Sequence, residues 1–149
     1  MAHWLVKSEP ASFSWEDQVR KGTEPWTGVR NAQAALHLRA MRHGDRAFFY
    51  HSNPGKEIVG VVEVVREAYP DPTDASERWV CVDVRAVAPM PQPVTLAAIK
   101  AAIKAEPALE GIALVRQSRL SVMPVSPAHW AALCRMGGWR EERGARRAG

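Results

Sequence analysis

The chain has 149 residues, 46% of them apolar and 24% charged, which gives room for one domain with a real core and too little for two. No apolar run approaches the ~20 residues of a membrane span, and the opening "MAHWLVKSEP" is interrupted by Glu9 too early for a signal peptide, so a cytoplasmic protein with no membrane partner is expected. The net charge is +4, of which the stretch from Gly137 to Gly149 carries +2 (Arg140, Arg143, Arg146 and Arg147 against Glu141 and Glu142); a body at +2 argues against broad electrostatic gripping of a duplex and permits a site built on shape and specific bonds.

In chain order, "HWLVK" (3–7) reads as an inner strand. Ser14 followed by Asp17 predicts a helix start, with a helix over 14–21 stopped by Gly22. A loop containing Pro25 and Gly28 leads to "NAQAALHLRAM" (31–41), where Asn31 is a good N-cap and Ala34, Ala35, Leu38 and Met41 share one face. "RAFFYHS" (46–52) and "EIVGVVEVV" (57–65) are strand patterns joined by "NPGK", a hairpin turn. After a loop at 69–76, "RWVCVDVRAVA" (78–88) predicts a third long strand, and "PMPQP" (89–93) predicts a break in the sheet. Thr95 caps a helix on Leu96, Ile99 and Ile103 that Pro107 ends. "RLSVMPV" (119–125) reads as a last strand. Ser126 and Pro127 open a final helix on Trp130, Leu133 and Cys134, which Gly137 stops. These elements predict an α+β fold with a curled, mostly antiparallel sheet. The tail, 137–149, has little to bury and is expected to be disordered, either a solvated end or a weak phosphate-seeking arm. Cys81 and Cys134 sit in apolar runs and are expected as free, buried thiols.

His3, His37, His43, His51 and His129 form no ligand spacing with Cys, Asp or Glu, so neither a metal nor a cofactor is expected. The sequence has no phosphate-binding glycine loop and no nucleophile elbow. His51 and Ser52 are strand neighbours that point to opposite faces. Glu9, Asp45 and Glu63 are acid–base candidates without a pairing partner, and no enzymatic activity is expected.

Three segments place polar groups where a simple core has no use for them: "KSEP" (7–10), "WTGVRN" (26–31) and "FYHSN" (49–53). Trp26 offers a flat face, Gly28 a sharp turn or close approach, and Arg30 a planar fork of five donors. Asn31 either reads a base edge or caps the helix that follows. Together they suit a planar heterocycle with an anionic attachment, a nucleotide; equally, Trp26 can be core and Arg30 solvated. Alternation puts Phe49, His51 and Asn53 on one side and Tyr50 and Ser52 on the other, so Tyr50 can face Trp26 across a pocket. Trp79 is a third aromatic candidate, with sheet packing as its simpler role.

The runs "HWLVKSEP", "WTGVRNAQAALHLRAM", "GDRAFFYHSN", "IVGVVEVVREAYPDPT", "RWVCVDVRAV" and "RLSVMPVS" resemble the EVE domain family, in order, from residue 3 to about 136. Two departures bear on a pocket rim: the loop between Thr73 and Arg78 is shorter than in most members, and "NPGK" differs from their usual turn. The resemblance implies an EVE domain over 1–136 with a PUA-like fold, a partly closed, mostly antiparallel β-barrel flanked by several helices. It also implies a non-catalytic nucleic-acid-binding role like that of YTH and other PUA-like readers, which draw a modified base into an aromatic pocket, modified cytosine in DNA being one candidate. Matched position by position, it brings Lys7, Ser8 and Glu9; Trp26, Gly28, Val29, Arg30 and Asn31; Tyr50, His51 and Ser52; and Arg116, Ser118 and Arg119. The partner expected is modified DNA or RNA, and a monomer is favoured. The alternatives are an enzyme with Glu9 or His51 as acid–base group, or a sensor of a free modified nucleotide or nucleoside.

Overall fold

A computed structural model describes residues 1–141. Its elements are β1 (His3–Ser8), α1 (Trp15–Lys21), β2 (Thr23–Pro25), α2 (Ala32–Ala40), β3 (Arg46–His51), β4 (Glu57–Pro70), β5 (Val80–Thr95), α3 (Leu96–Ile103), a 3-10 turn at Pro107–Leu109, α4 (Ala113–Arg116), β6 (Val122–Val125) and α5 (Pro127–Gly137). The six strands form one sheet in the order β2-β5-β4-β3-β1-β6. All pairings are antiparallel except β1 with β3, which run parallel with Lys7 opposite Tyr50 and Ser8 opposite His51. The fold is α+β as expected, and β2 and β6 remain as edges, so hydrogen bonding does not close the sheet.

The helices start where the side-chain chemistry says they should. Ser14 Oγ accepts from Asp17 N at 3.1 Å while Asp17 Oδ2 accepts from Ser14 N at 2.9 Å, a reciprocal capping box. Asn31, Thr95 and Ser126 cap α2, α3 and α5 through single bonds of 2.9 to 3.1 Å to the backbone three residues on. Four expectations change. Tyr69 and Pro70, read as the start of a loop, end β4 opposite Cys81 and Val80. Residues 23–25, read as loop, pair with 83–85 as a short edge strand. The sheet does not break at "PMPQP": the strand runs on to Thr95, with Pro89 opposite Gly60 and pairing resumed at Val94 opposite Ile58. The prolines are tolerated because the ladder shifts register there, and a bulge leaves residues unpaired where proline has no N–H to give. α3 ends at Ile103, and Pro107 opens the 3-10 turn instead of ending the helix.

β3 is buried from Ala47 to Tyr50, so the sheet is covered on both faces. On one face Phe48 stacks on Trp130 of α5 with ring centroids 3.9 Å apart, and His3 stacks on the other side of that indole at 4.1 Å. On the opposite face Phe49 is the hub of an edge-to-face cluster with Trp15 at 5.3 Å and Trp26 at 5.5 Å. The start of the expected tail belongs to the body: Trp139 meets Trp130 at 6.5 Å, and Arg46 pairs with Glu141 at 2.9 Å. The remaining residues on which disorder was expected, 142–149, lie outside the described residues. Cys81 and Cys134 are free thiols, the first buried and the second half-buried. Among the described residues no helix is long and apolar enough to cross a membrane.

Gly60 carries the seating of α1. A methyl group there would lie 2.5 Å from the Trp15 ring, which is itself held on Phe49. Gly60→Ala is therefore expected to destabilise the fold by about 1–3 kcal/mol through overpacking. The midpoint of urea unfolding measures it, and an unchanged midpoint would mean that α1 can shift freely.

Candidate functional site

The carboxyl ends of β1 and β3, the turn after β3, and the loops 26–30 and 118–121 frame one solvent-open cleft of about 1020 Å³. Parallel pairing delivers Lys7 and Ser8 beside Tyr50 and Ser52, and Ser52 N donates to Ser8 O at 2.9 Å, which locks the two strand ends together. Trp26 reaches the cleft from the edge of the sheet, its backbone N–H held by Val82 O at 2.7 Å just beyond β2. It is 8% exposed and Tyr50 3%, so both present only a margin of ring, with Phe13 meeting Trp26 edge-on at 6.2 Å. Six basic residues line the cleft (Lys7, Arg20, Lys21, Arg30, Lys56 and Arg119) against three acidic ones, Glu9, Asp17 and Glu24. Arg20, Lys21 and Arg30 are each paired with a carboxylate (Asp17, Glu24 and Asp71), so among the described residues the positive charge left to the cleft is that of Lys7, Lys56 and Arg119 against Glu9.

The loop from Trp26 to Asn31 is shaped by Asp71, which lies in the loop after β4 and is not among the candidates that the sequence offers. The residue is 1% exposed. One oxygen accepts from Gly28 N at 2.8 Å and from Arg30 Nη1 at 3.1 Å; the other accepts from Thr73 N at 2.7 Å and Thr73 Oγ1 at 2.6 Å. Arg30 Nη2 completes the clasp by donating to Thr73 Oγ1 at 3.0 Å. Burial works to raise the Asp71 pKa, but the Thr73 donors, the Gly28 N–H and the Arg30 guanidinium outweigh it and hold the carboxyl below its ordinary value. Gly28 has φ +87, and a side chain there would meet open space, so glycine is required for the backbone turn rather than for room.

The structure thus brings Lys7, Ser8, Glu9, Trp26, Gly28, Val29, Arg30, Tyr50, Ser52, Ser118 and Arg119 to one cleft, and adds Asn53, Lys56 and Ser121. Three candidates stand elsewhere. His51 Nε2 accepts from Trp15 N at 3.0 Å and ties α1 to the sheet. Asn31 Oδ1 is spent on Ala34 N as the α2 cap. Arg116 lies beyond the wall formed by Ser118 and Arg119. Arg30 lines the cleft but is committed to Asp71 and Thr73, so it serves as a strut more than as a phosphate fork. Asp45 is also structural: it accepts from Trp4 Nε1 at 3.0 Å and from Arg42 N at 3.0 Å. Glu63 pairs with Arg85 at 2.7 Å. Trp79 lies outside the cleft beside Arg78 at 5.0 Å.

Lys7 and Tyr50 set the polarity of the floor. Lys7 Nζ donates to Ser118 O at 2.9 Å and stands 5.6 Å from the Tyr50 ring centroid. Burial pushes the Lys7 ammonium down, and burial, with Glu57 adding to it, pushes the Tyr50 phenol up. The phenol is thus a firm O–H donor at neutral pH. Ser8 Oγ donates to Phe13 O at 2.5 Å and keeps acceptor capacity.

Fold and site together define a small α+β domain with a basic cleft, edged by Trp26 and Tyr50, at the ends of two parallel strands. The chain belongs to the EVE domain family, whose model matches residues 2–136. It is similar to human thymocyte nuclear protein 1, with 39% identity over 157 residues that cover 84% of this chain and 69% of that protein. The NMR structure of Rpa0253 from Rhodopseudomonas palustris shares 60% identity at a TM-score of 0.85, covering 95% of this chain and 97% of that one. The crystal structure of the human THYN1 protein in complex with DNA containing 5-methylcytosine superposes with a TM-score of 0.85 at 33% identity, over 95% of this chain and 100% of that one. The YTH domain of Zygosaccharomyces rouxii MRB1, at 11% identity and a TM-score of 0.59 over 95% of this chain and 90% of that one, shares the fold alone.

Asp71→Asn keeps the size of the side chain, removes its charge and sets an amide N–H group against the donors that one carboxylate oxygen accepts from, and is expected to cost about 2 kcal/mol at pH 7. Because the folded carboxyl titrates below 3.8, its contribution is complete above the unfolded value and is lost as pH falls through the folded one. The difference in unfolding midpoint between wild type and Asp71→Asn should therefore shrink from about pH 4 downward. A constant difference would assign the effect to the lost acceptor instead of charge.

Proposed function

We propose that this chain is a non-catalytic nucleic-acid-binding module that reads a modified nucleobase, with modified cytosine in DNA as the first candidate. The observation that carries the proposal is the cleft: about 1020 Å³, open to solvent, edged by the ring margins of Trp26 and Tyr50 and rimmed by Lys7, Lys56 and Arg119. The related human protein bound to DNA containing 5-methylcytosine supports it, at 33% identity across the whole domain.

The energetics assign the parts. Extruding a base costs a few kcal/mol. Stacking returns roughly 1–3 kcal/mol per base, and less here because Trp26 shows only a margin of its ring. Discrimination therefore falls to polar groups around the base edge: the Tyr50 hydroxyl, Ser8, Ser52 and the Lys7 ammonium. The phosphate-seeking role passes from Arg30, held by Asp71, to Lys56 and Arg119, which are exposed at the rim. Reading in this sense makes and breaks no bond.

Fluorescence anisotropy against short single- and double-stranded oligonucleotides, with and without base modifications, tests the reading. The wild type is expected to prefer one modified base over its parent by about tenfold, the worth of one well-made edge contact. Tyr50→Phe should erode that preference while leaving the melting temperature close to wild type. Trp26→Phe is the informative indole variant, since Trp26→Ala also empties a buried site at about 3–5 kcal/mol. The double variant Lys56→Ala/Arg119→Ala should weaken all sequences alike and reduce the log–log salt slope by about 2. Equal affinity for modified and unmodified strands would overturn the reading.

A further inference from the structure

The cleft does not end at Arg119. Beyond the ridge of Ser118 and Arg119 lies a second, shallower cavity of about 350 Å³, lined by that ridge with Asn31, Gln33, Arg116, Gln117 and Leu120. Ser118 and Arg119 line both cavities. The ridge is anchored from beneath and from each side. Lys7 Nζ donates to Ser118 O at 2.9 Å, Lys7 N to Ser121 O at 3.0 Å, and Leu120 N to Gln117 O at 3.0 Å. Across the second cavity Gln33 Nε2 donates to Gln117 Oε1 at 3.1 Å. That contact spends one donor and one lone pair, and leaves each amide further donors and acceptors. Arg116 and Arg119 are exposed, and none of the ion pairs among the described residues engages them.

We propose that this second cavity is a subsite for the nucleotide adjoining the one held in the main cleft, so that the ligand is a strand and not a free nucleoside. The inference rests on the base-reading proposal and names its substrate class. Its volume falls at the small end of ligand sites, about 300–1,000 Å³, which suits one nucleotide. Its chemistry differs from that of the cleft: no aromatic ring lines it, and side-chain amides do. It therefore recognises a base by its edge, as glutamine and asparagine do, and not by stacking. Adjacent nucleotides are joined by one phosphodiester, which has to cross the shared wall. Arg119 stands on that wall, and Arg116 flanks the far side with a second guanidinium suited to a phosphate. Because the wall is prefixed by Lys7 and Gln117, little ordering is left to be done on binding.

The test compares two probes on the same protein: an oligonucleotide with one central 5-methylcytosine, and free 5-methyl-2′-deoxycytidine 5′-monophosphate. Wild type should bind the oligonucleotide at least tenfold more tightly. Arg116→Ala should weaken the oligonucleotide by about tenfold and lower its salt slope by about 1, without changing affinity for the free nucleotide. Gln33→Ala should change the preference for the base next to the 5-methylcytosine. Arg135→Ala, on α5 and paired with Glu106, serves as the control for bulk charge and should do neither. If Arg116→Ala and Gln33→Ala match wild type on the oligonucleotide, the subsite is overturned while the cleft stands. If wild type holds the free nucleotide as tightly as the strand, the subsite is likewise overturned. If it binds neither probe, the subsite falls, and with it 5-methylcytosine as the base that is read.

Discussion

Everything at the site depends on one pairing: β1 and β3 run parallel in the interior of an otherwise antiparallel sheet. Parallel strands end on the same side, so Lys7 and Ser8 emerge beside Tyr50 and His51 instead of at the far end of the molecule. Parallel strands also need a long crossover between them. Here that crossover is residues 9–45, which carry α1, β2 and α2 and bring the loop of Trp26 to the same strand ends. The mouth of the cleft is a consequence of topology, in the way that open α/β sheets place ligands beyond the carboxyl ends of their strands.

Topology alone would leave that loop unsupported, and Asp71 supplies the support. Burying a carboxylate is costly unless its lone pairs are filled. Asp71 fills them with two backbone N–H groups, a hydroxyl and a guanidinium, and so joins the 26–31 loop to the loop after β4. The cations around the cleft divide accordingly. Arg30 is consumed in the clasp, Arg20 is paired with Asp17, and Lys21 approaches Glu24 at 3.5 Å. Lys56 and Arg119 keep their charges at the rim. A net count of charges around a cavity overstates what an anion meets; the partners of each cation decide it.

Local chemistry made the helices legible: Ser14, Asn31, Thr95 and Ser126 are caps in the sequence and caps in the structure. The three middle strands were legible from their apolar patterns. What stayed hidden depends on contacts distant in sequence. Thr23–Pro25 has no strand pattern and pairs because β5 offers an edge. The prolines of "PMPQP" argue locally for a break, yet a shifted register carries the strand past them. Asp71 sits in "PDPT", where its bonds to Thr73 read as ordinary turn chemistry, and nothing nearby signals that its other partners, Gly28 and Arg30, lie some forty residues earlier. The segments 7–10, 26–31 and 49–53 were found because they put polar groups at the ends of regular elements, whereas Ser118 and Arg119 came only from the family resemblance. Their division of labour was not, since His51, Asn31 and Arg30 can serve a ligand or the fold equally well until their hydrogen bonds are known.

The claim that a base is held against Trp26 and Tyr50 is tested most directly by NMR titration of the labelled chain with the modified oligonucleotide it binds best. The indole N–H of each of the six tryptophans reports separately. A base held there shifts the Trp26 indole and the backbone amides of residues 26–30, 50–53 and 118–121 together with one binding curve, while the indoles of Trp4, Trp79 and Trp130 stay in place. Shifts centred on Trp79 and the far end of the β4–β5 pair, with Trp26 unmoved, would contradict it.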